Sequence, residues 1–192
     1  MKDYVIDLRR EFHSKPESSL KEFNTSRRIK EELEKIGVEY RECATTGVIA
    51  TIKGNHPGKT VALRGDMDAL SVQELNTVEY KSQVSGMMHA CGHDGHTAML
   101  IGAAKVLNEL RDEIHGTVKL FFQPAEETAQ GAHAMINDGA MEGVDSIFGI
   151  HLWADIETGK VSVEEGPRMA GADWVLEERQ VELALEWGER FF

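Results

Sequence analysis

The sequence predicts an α/β fold, with a mostly parallel or mixed sheet flanked by helices. Three observations carry that expectation. Amphipathic helical patterns alternate with short apolar runs of strand length. One run, Thr117–Phe122, is apolar enough to be a buried strand. Acidic residues and a histidine recur where such runs stop, as expected of a sheet whose site lies at the carboxyl ends of its strands.

The elements follow in order. Residues 3–14 place Val5, Leu8 and Phe12 on one helical face, and Pro16 stops the helix. A second helix is expected to start near Asn24-Thr25, which can cap it. It carries Ile29, Leu33 and Ile36 on its apolar stripe and ends at Gly37. Its many charges read as a solvated face. Val38–Cys43 alternates like a strand although it is heavily charged. Val48–Lys53 is a more apolar strand, followed by a turn over 54–58, and Thr60–Leu63 leads into Arg64-Gly65-Asp66-Met67-Asp68. Residues 71–86 lack a clear period and read as loop or short strand. His96–Ile114 predicts a helix with Met99, Leu100, Ala103, Val106, Leu107 and Leu110 on one side. Beyond Thr117–Phe122, residues 130–138 predict a helix ending at Gly139. Ser146–Leu152 and Val161–Val163 predict two more strands.

Bulk composition narrows the function classes. The chain has 192 residues, 41 % hydrophobic and 28 % charged, enough for one soluble domain with a sizeable core. A net charge of −12 argues against binding the phosphate backbone of nucleic acids. No apolar run approaches the ~18 residues of a membrane span. The charged start, Met1–Arg10, lacks the apolar core of a secretory signal. The expectation is a cytoplasmic protein whose two cysteines, Cys43 and Cys91, need not pair.

The chemistry concentrates in Met88-His89-Ala90-Cys91-Gly92-His93-Asp94-Gly95-His96. Thiolate, imidazole and carboxylate are the side chains that bind transition metals. Cys91 and His93, separated by one glycine, can reach a common ion from a tight loop. His89 and His96 could support the ligands or face a substrate, and His96 could equally serve a structural role at a helix start. Glu126-Glu127 follows a hydrophobic run and Pro124, a poor place for surface decoration. Adjacent carboxylates can divide labour, one holding a metal and the other taking a proton from water. Asp66 and Asp68 fall on the same side of an extended chain and could orient a ligand, bind metal or shape a turn. His151 closes an apolar run, where a histidine is commonly structural; its weight comes from the other groups. Together these residues suit Zn²⁺ or Mn²⁺ activating water for hydrolysis. Nucleophilic catalysis by Cys91 with a histidine is the competing mechanism, but it accounts for neither the Glu pair nor the number of ligand side chains.

Four motifs in this order are Arg64-Gly65-Asp66-Met67-Asp68-Ala69-Leu70, Met88–His96, Phe122-Gln123-Pro124-Ala125-Glu126-Glu127 and Gly149-Ile150-His151-Leu152-Trp153. With the opening Leu8–Glu17, they resemble the amidohydrolase branch of the aminoacylase/carboxypeptidase metallopeptidase family. That branch contains hippurate hydrolase, N-acetyldiaminopimelate deacetylase and the indole-acetyl-amino-acid hydrolases. The resemblance runs from about residue 3 to Trp174 and implies a two-metal amide hydrolase, with Mn²⁺ or Zn²⁺. It assigns Cys91, His93, Glu127 and His151 to metal, Glu126 to general base and Asp68 to a supporting carboxylate. Asp66 stands where relatives outside the branch often carry a ligand histidine. The implied substrate is a small N-acyl amino acid or short peptide, and the implied assembly of full-length relatives is homo-oligomeric. Residues 1–174 are thus expected to be part of a catalytic domain, without the family's lid or dimerisation domain and its later ligand histidine. Residues 175–192, with five Glu, two Arg and a closing Trp187, Phe191 and Phe192, predict a helical tail unlike the family's continuation. A frameshift or truncation would explain such a tail. The alternative expectation is a catalytically inactive chain that binds metal or self-associates.

Overall fold

The apolar run Thr117–Phe122 becomes part of the middle strand of the sheet. In the computed structural model, which describes residues 1–163, 165 and 166, strand β4 (His115–Gln123) lies between β2 (Gly47–Lys53) and β3 (His56–Asp66). The full strand order is β1-β2-β4-β3-β5, with β1 at Glu39–Cys43 and β5 at Ser146–Gly149. β2 pairs antiparallel with both β1 and β4, whereas β3 runs parallel to β4 and β5. The sheet is therefore mixed, and β3, β4 and β5 all deliver their carboxyl ends to the same edge.

Side-chain alternation assigns each strand residue to a face. Val48, Ala50 and Ile52 of β2 and Leu120 and Phe122 of β4 pack beneath three helices. These are α1 (Lys2–Ser14), α2 (Phe23–Ile36) and α3 (His93–Glu109), which contribute Leu8, Phe12, Ile29, Leu33 and Ile101. Ile49, Ala62 and Phe121 face the opposite way, toward Met135 of the short helix α4 (Gly131–Asn137) and Ala140. Each fully buried side chain of the Leu or Phe class contributes about 1.5–3 kcal/mol of transfer free energy.

Several expectations are corrected. The start of α2 is not capped by Asn24 or Thr25. The Glu17 carboxylate accepts the backbone N–H groups of Asn24 at 3.2 Å and Thr25 at 2.8 Å, and the Thr25 hydroxyl at 2.9 Å. An acidic group at a helix N-terminus also faces the positive end of the macrodipole. Gly37 ends the helix as expected, in the left-handed conformation. β3 begins at His56, inside the expected turn, so the reversal is confined to Gly54-Asn55. α3 begins three residues earlier than the pattern suggested and stops at Glu109, with a separate 3₁₀ turn at Arg111–Glu113. Its buried side carries Ala98, Leu100, Ile101 and Ala104, while Met99, Val106 and Leu110 are exposed. α1 comes close to this side, where a Cβ on Gly102 would meet Val5. β5 ends at Gly149, so His151 lies beyond the strand.

The chain divides into two units, Met1–Trp153 and Ala154–Phe192. All the elements named above belong to the first. In the second, Lys160 and Glu157 form an ion pair at 2.6 Å. Val161–Val163 is not a strand: its two valines are exposed, with no neighbouring strand to pair with among the described residues. The expected tail helix at 175–192 lies outside the described residues.

Candidate metal centre at the carboxyl edge of the sheet

The site assembles from three strand ends and one helix start. Asp66 is the last residue of β3 and Asp68 follows it. Glu126 and Glu127 come from the loop after β4, and His151 follows β5. Cys91 and His93 flank Gly92, the N-cap of α3. Gly92 has φ +93°, a conformation side-chain-bearing residues seldom adopt, and it turns the loop sharply into the helix.

His93 is the centre of the arrangement and is 0 % exposed. Its Nδ1 lies 2.8 Å from the Asp68 carbonyl oxygen and 3.2 Å from Asp68 Oδ1. A carbonyl only accepts, so Nδ1 carries the hydrogen, and the neutral ring presents its lone pair at Nε2. That Nε2 faces Asp66 Oδ2 at 3.5 Å, Glu126 Oε2 at 3.7 Å and Glu127 Oε1 at 3.7 Å. His151 repeats the device: Nδ1 donates to the Leu152 carbonyl at 2.6 Å, and Nε2 lies 3.4 Å from Cys91 Sγ.

Donor atoms of Cys91, His93 and His151 lie within 4.8 Å of one another, as do those of His93, Glu126 and Glu127, and those of Asp66, His93 and His96. His93 belongs to all three groups. His93 Nε2 and Glu127 Oε1 are buried without a hydrogen-bond partner among the described residues. Buried polar atoms are ordinarily paired, so two orphans facing each other are what a cation would satisfy. Sulfur, imidazole nitrogen and carboxylate oxygen together fit a borderline divalent transition metal.

His96 plays a different part. Its Nδ1 lies 2.6 Å from Asp66 Oδ1, and its Nε2 accepts the Leu152 backbone N–H at 2.9 Å. Both ring nitrogens are engaged, so His96 orients Asp66 and the segment carrying His151. Asp66 also accepts from Arg64 Nη1 at 2.6 Å. Burial works against its charge, but the His96 hydrogen bond and the nearby His93 and Arg64 hold its carboxyl well below the usual range. Asp68 is lowered too: the bonds from His93, Ser19 and the Glu127 amide outweigh its burial.

The local potential is strongly negative. Burial alone would lower the His93 pKa, yet the Asp68 bond and the charges of Asp66, Asp68 and Glu127 raise it. Glu127 is raised by burial and by Glu126 and Asp68. The Cys91 thiol is pushed up to about 12 by burial and then by Glu127. Activated cysteines sit in positive surroundings; those of Cys91 are negative, which opposes a free nucleophilic thiolate and favours a site that holds cations.

Of the residues that brace this centre, sequence reasoning singled out His89 and the stretch holding Asp94, but missed His13, Arg9, Glu74 and Ser19. His13 lies between two carboxylates, with Nδ1 2.8 Å from Asp94 Oδ2 and Nε2 3.1 Å from Glu74 Oε1. The Asp94 bond leads in raising its pKa. Arg9 donates to Asp94 at 2.7 Å, so α1 is tied to the start of α3. His89 has no partner for either ring nitrogen among the described residues, and burial lowers its pKa to about 4. Ser19 donates to Asp68 at 2.7 Å. These partners lie 49 to 85 positions apart in pairs such as Ser19–Asp68 and Arg9–Asp94, and no local pattern announces them. An apolar hollow of about 150 Å³ lined by Leu63, Met99, Leu100, Phe148 and Ile150 includes neither Glu126 nor Glu127.

The profile of peptidase family M20/M25/M40 matches residues 62–190. The chain is 49 % identical over 177 residues to thermostable carboxypeptidase 2 of Saccharolobus solfataricus, covering 90 % of this chain and 45 % of that one. It is 47 % identical over 175 residues to an N-acyl-L-amino acid amidohydrolase of Geobacillus stearothermophilus, covering 90 % and 47 %. A dinuclear metal-binding peptidase of the M20 family from Bacillus subtilis superimposes with a TM-score of 0.84 at 44 % identity, over 87 % of this chain and 48 % of that one. The chain thus spans about half the length of the relatives it matches. The architecture, the donor cluster and these likenesses converge: the chain belongs to peptidase family M20/M25/M40.

Proposed function

We propose that this chain carries most of the catalytic centre of a metal-dependent amidohydrolase acting on N-acyl amino acids or short peptides. The observation that carries the reading is the convergence of Asp66, Glu126 and Glu127 on the unpartnered Nε2 of His93, with Cys91 and His151 beside it. Cys91, His93, Glu127 and His151 would hold two divalent ions, Zn²⁺ or Mn²⁺. When bound, such ions supply Lewis acidity to the amide carbonyl and make water more acidic. Asp68 holds His93 through Nδ1 and Glu127 through its backbone N–H at 3.0 Å, so one carboxylate sets the aim of two ligands. Glu126 is the more exposed of the pair, with its side chain 39 % accessible against 18 % for Glu127. It is the general base: its carboxylate takes a proton from the attacking water and passes it to the leaving amine nitrogen. The free thiols of Cys43 and Cys91 accord with a reducing, cytoplasmic setting. None of the described helices is long and apolar enough to cross a membrane.

The test is release of free amino acid from hippurate and from acetylated amino acids by protein loaded with Mn²⁺ or Zn²⁺. Turnover above a Glu126→Gln control supports the reading, and its absence removes catalysis by this chain alone. A second reading, a chain that binds metal only weakly or self-associates without turnover, is favoured by β5. That edge strand leaves Ile147 and Phe148 exposed, the latter by 60 %. Sedimentation decides it: a well-folded monomer with two bound metals counts against this reading.

A further inference from the structure

Glu22 is a carboxylate with no surface exposure, seated at the N-cap of α2 and outside the donor cluster. Buried carboxylates are costly unless fully bonded, so its partners matter. Its Oε2 accepts the Thr46 hydroxyl at 2.7 Å, and its Oε1 accepts the backbone N–H of Ala125 at 2.8 Å. Ala125 immediately precedes Glu126-Glu127, is fully buried, and has φ +48°. A side-chain-bearing residue in the left-handed region is strained and persists only where its surroundings hold it. Here the carbonyl of Ala125 accepts the N–H groups of Gln130 at 3.2 Å and Gly131 at 3.1 Å. Among the described residues, its amide bonds only to Glu22. A Cβ at position 131 would collide with the Pro124 carbonyl, so the loop is closed tightly on that side as well.

We propose that Glu22 is a positioning residue for the metal centre: by holding the Ala125 amide it fixes the left-handed turn that aims Glu126 and Glu127 at His93 Nε2. The inference rests on the metal-binding reading above and extends it to a side chain that touches neither donor nor substrate. Removing the acceptor frees Ala125 to relax toward ordinary backbone angles, which rotates both following carboxylates. Glutamine keeps both bonds, its oxygen accepting from Ala125 and its amide donating to the Thr46 oxygen.

The experiment titrates Co²⁺ alone into wild type, Glu22→Gln, Glu22→Ala and Glu22→Asp, reading the visible d–d absorption, with folding checked by circular dichroism. Leu33→Ala serves as a control that loses stability on the same helix without touching the loop. The expected result is a Co²⁺ dissociation constant weakened about 10–100-fold and an altered d–d band in Glu22→Ala and Glu22→Asp, with Glu22→Gln within about threefold of wild type. Leu33→Ala should match wild type in both. Unchanged affinity and spectrum in a folded Glu22→Ala chain overturns the proposal while leaving the metal reading intact. So does a loss in Glu22→Gln as large as in Glu22→Ala. Failure of both Glu22→Ala and Glu22→Asp to fold makes Glu22 a folding residue and overturns it too. Absence of Co²⁺ uptake by wild type overturns the metal reading, and the proposal with it.

Discussion

The Nδ1 of His93 lies 2.8 Å from the carbonyl oxygen of Asp68, while the Asp68 side chain accepts the amide of Glu127 at 3.0 Å. One residue therefore fixes the tautomer of a helix-borne imidazole and the placement of a loop-borne carboxylate. Asp68→Ala retains the carbonyl contact and loses the carboxylate. The expected outcome is a Zn²⁺ affinity about 10–100-fold weaker than wild type, measured by competition with a chromophoric chelator. A wild-type affinity in this variant would mean that the carbonyl alone holds the centre.

Metal should stabilise the fold, because its donors come from elements that unfolding separates. At free metal about 100-fold above Kd, the native state gains about 2.7 kcal/mol. Thermal melts with Zn²⁺ and with EDTA check this. The expected rise in Tm with Zn²⁺ should vanish in His93→Ala.

Acid sensitivity should have a component far from the centre. Glu32, on α2, accepts from Tyr4 at 2.6 Å, Arg28 at 2.5 Å and Lys35 at 2.8 Å. Burial opposes its charge, but these partners lower its pKa to about 2. A depressed folded pKa means that the contribution is complete above the unfolded value of about 4.5 and fades as pH falls toward about 2. Glu32→Gln should cost about 1–2 kcal/mol near neutrality, allowing for solvent screening at the exposed Lys35. In denaturant titrations the gap from wild type should close as pH drops from 5 to about 2.

The α2 cap supplies a further check. Glu17→Ala removes an acceptor for two backbone amides, and about 1 kcal/mol of stability should go with it. Urea unfolding reads this as a lower midpoint at unchanged slope. Asn24→Ala, predicted from sequence to remove a cap, should have a much smaller effect.

In the core, Leu33→Ala should cost about 2–5 kcal/mol, since Leu33 is fully enclosed between α2 and the sheet. Equilibrium unfolding measures it directly.

Periodicity made the helices and strands legible, and motif spacing singled out Cys91, His93, Glu126 and Glu127, whose side chains lie together at one edge of the sheet. What it missed has a common cause. The inward side of α3 is set by how α1 and the sheet pack on it, so Ala98, Leu100, Ile101 and Ala104 face in while Met99 and Val106 do not. The cap on α2 comes from Glu17, before the helix starts, and a search among the first helical residues passes it by. His13, Ser19 and Glu22 act across long sequence separations on the groups they brace. The short β5 and the unpaired Val161–Val163 show that an apolar run becomes a strand only where a neighbour offers hydrogen bonds.

The position of β4 sets an order of events during synthesis. β2 and β3 are made early but cannot complete the sheet, because the strand that joins them is made about fifty residues after β3 ends. Until β4 inserts, the loop carrying Cys91 and His93 has no Glu126 or Glu127 to face. On the proposed metal reading, the donors come together only once the sheet is closed and the chain has been made through His151, so a ribosome-bound chain shorter than that has no finished set of donors to offer an ion.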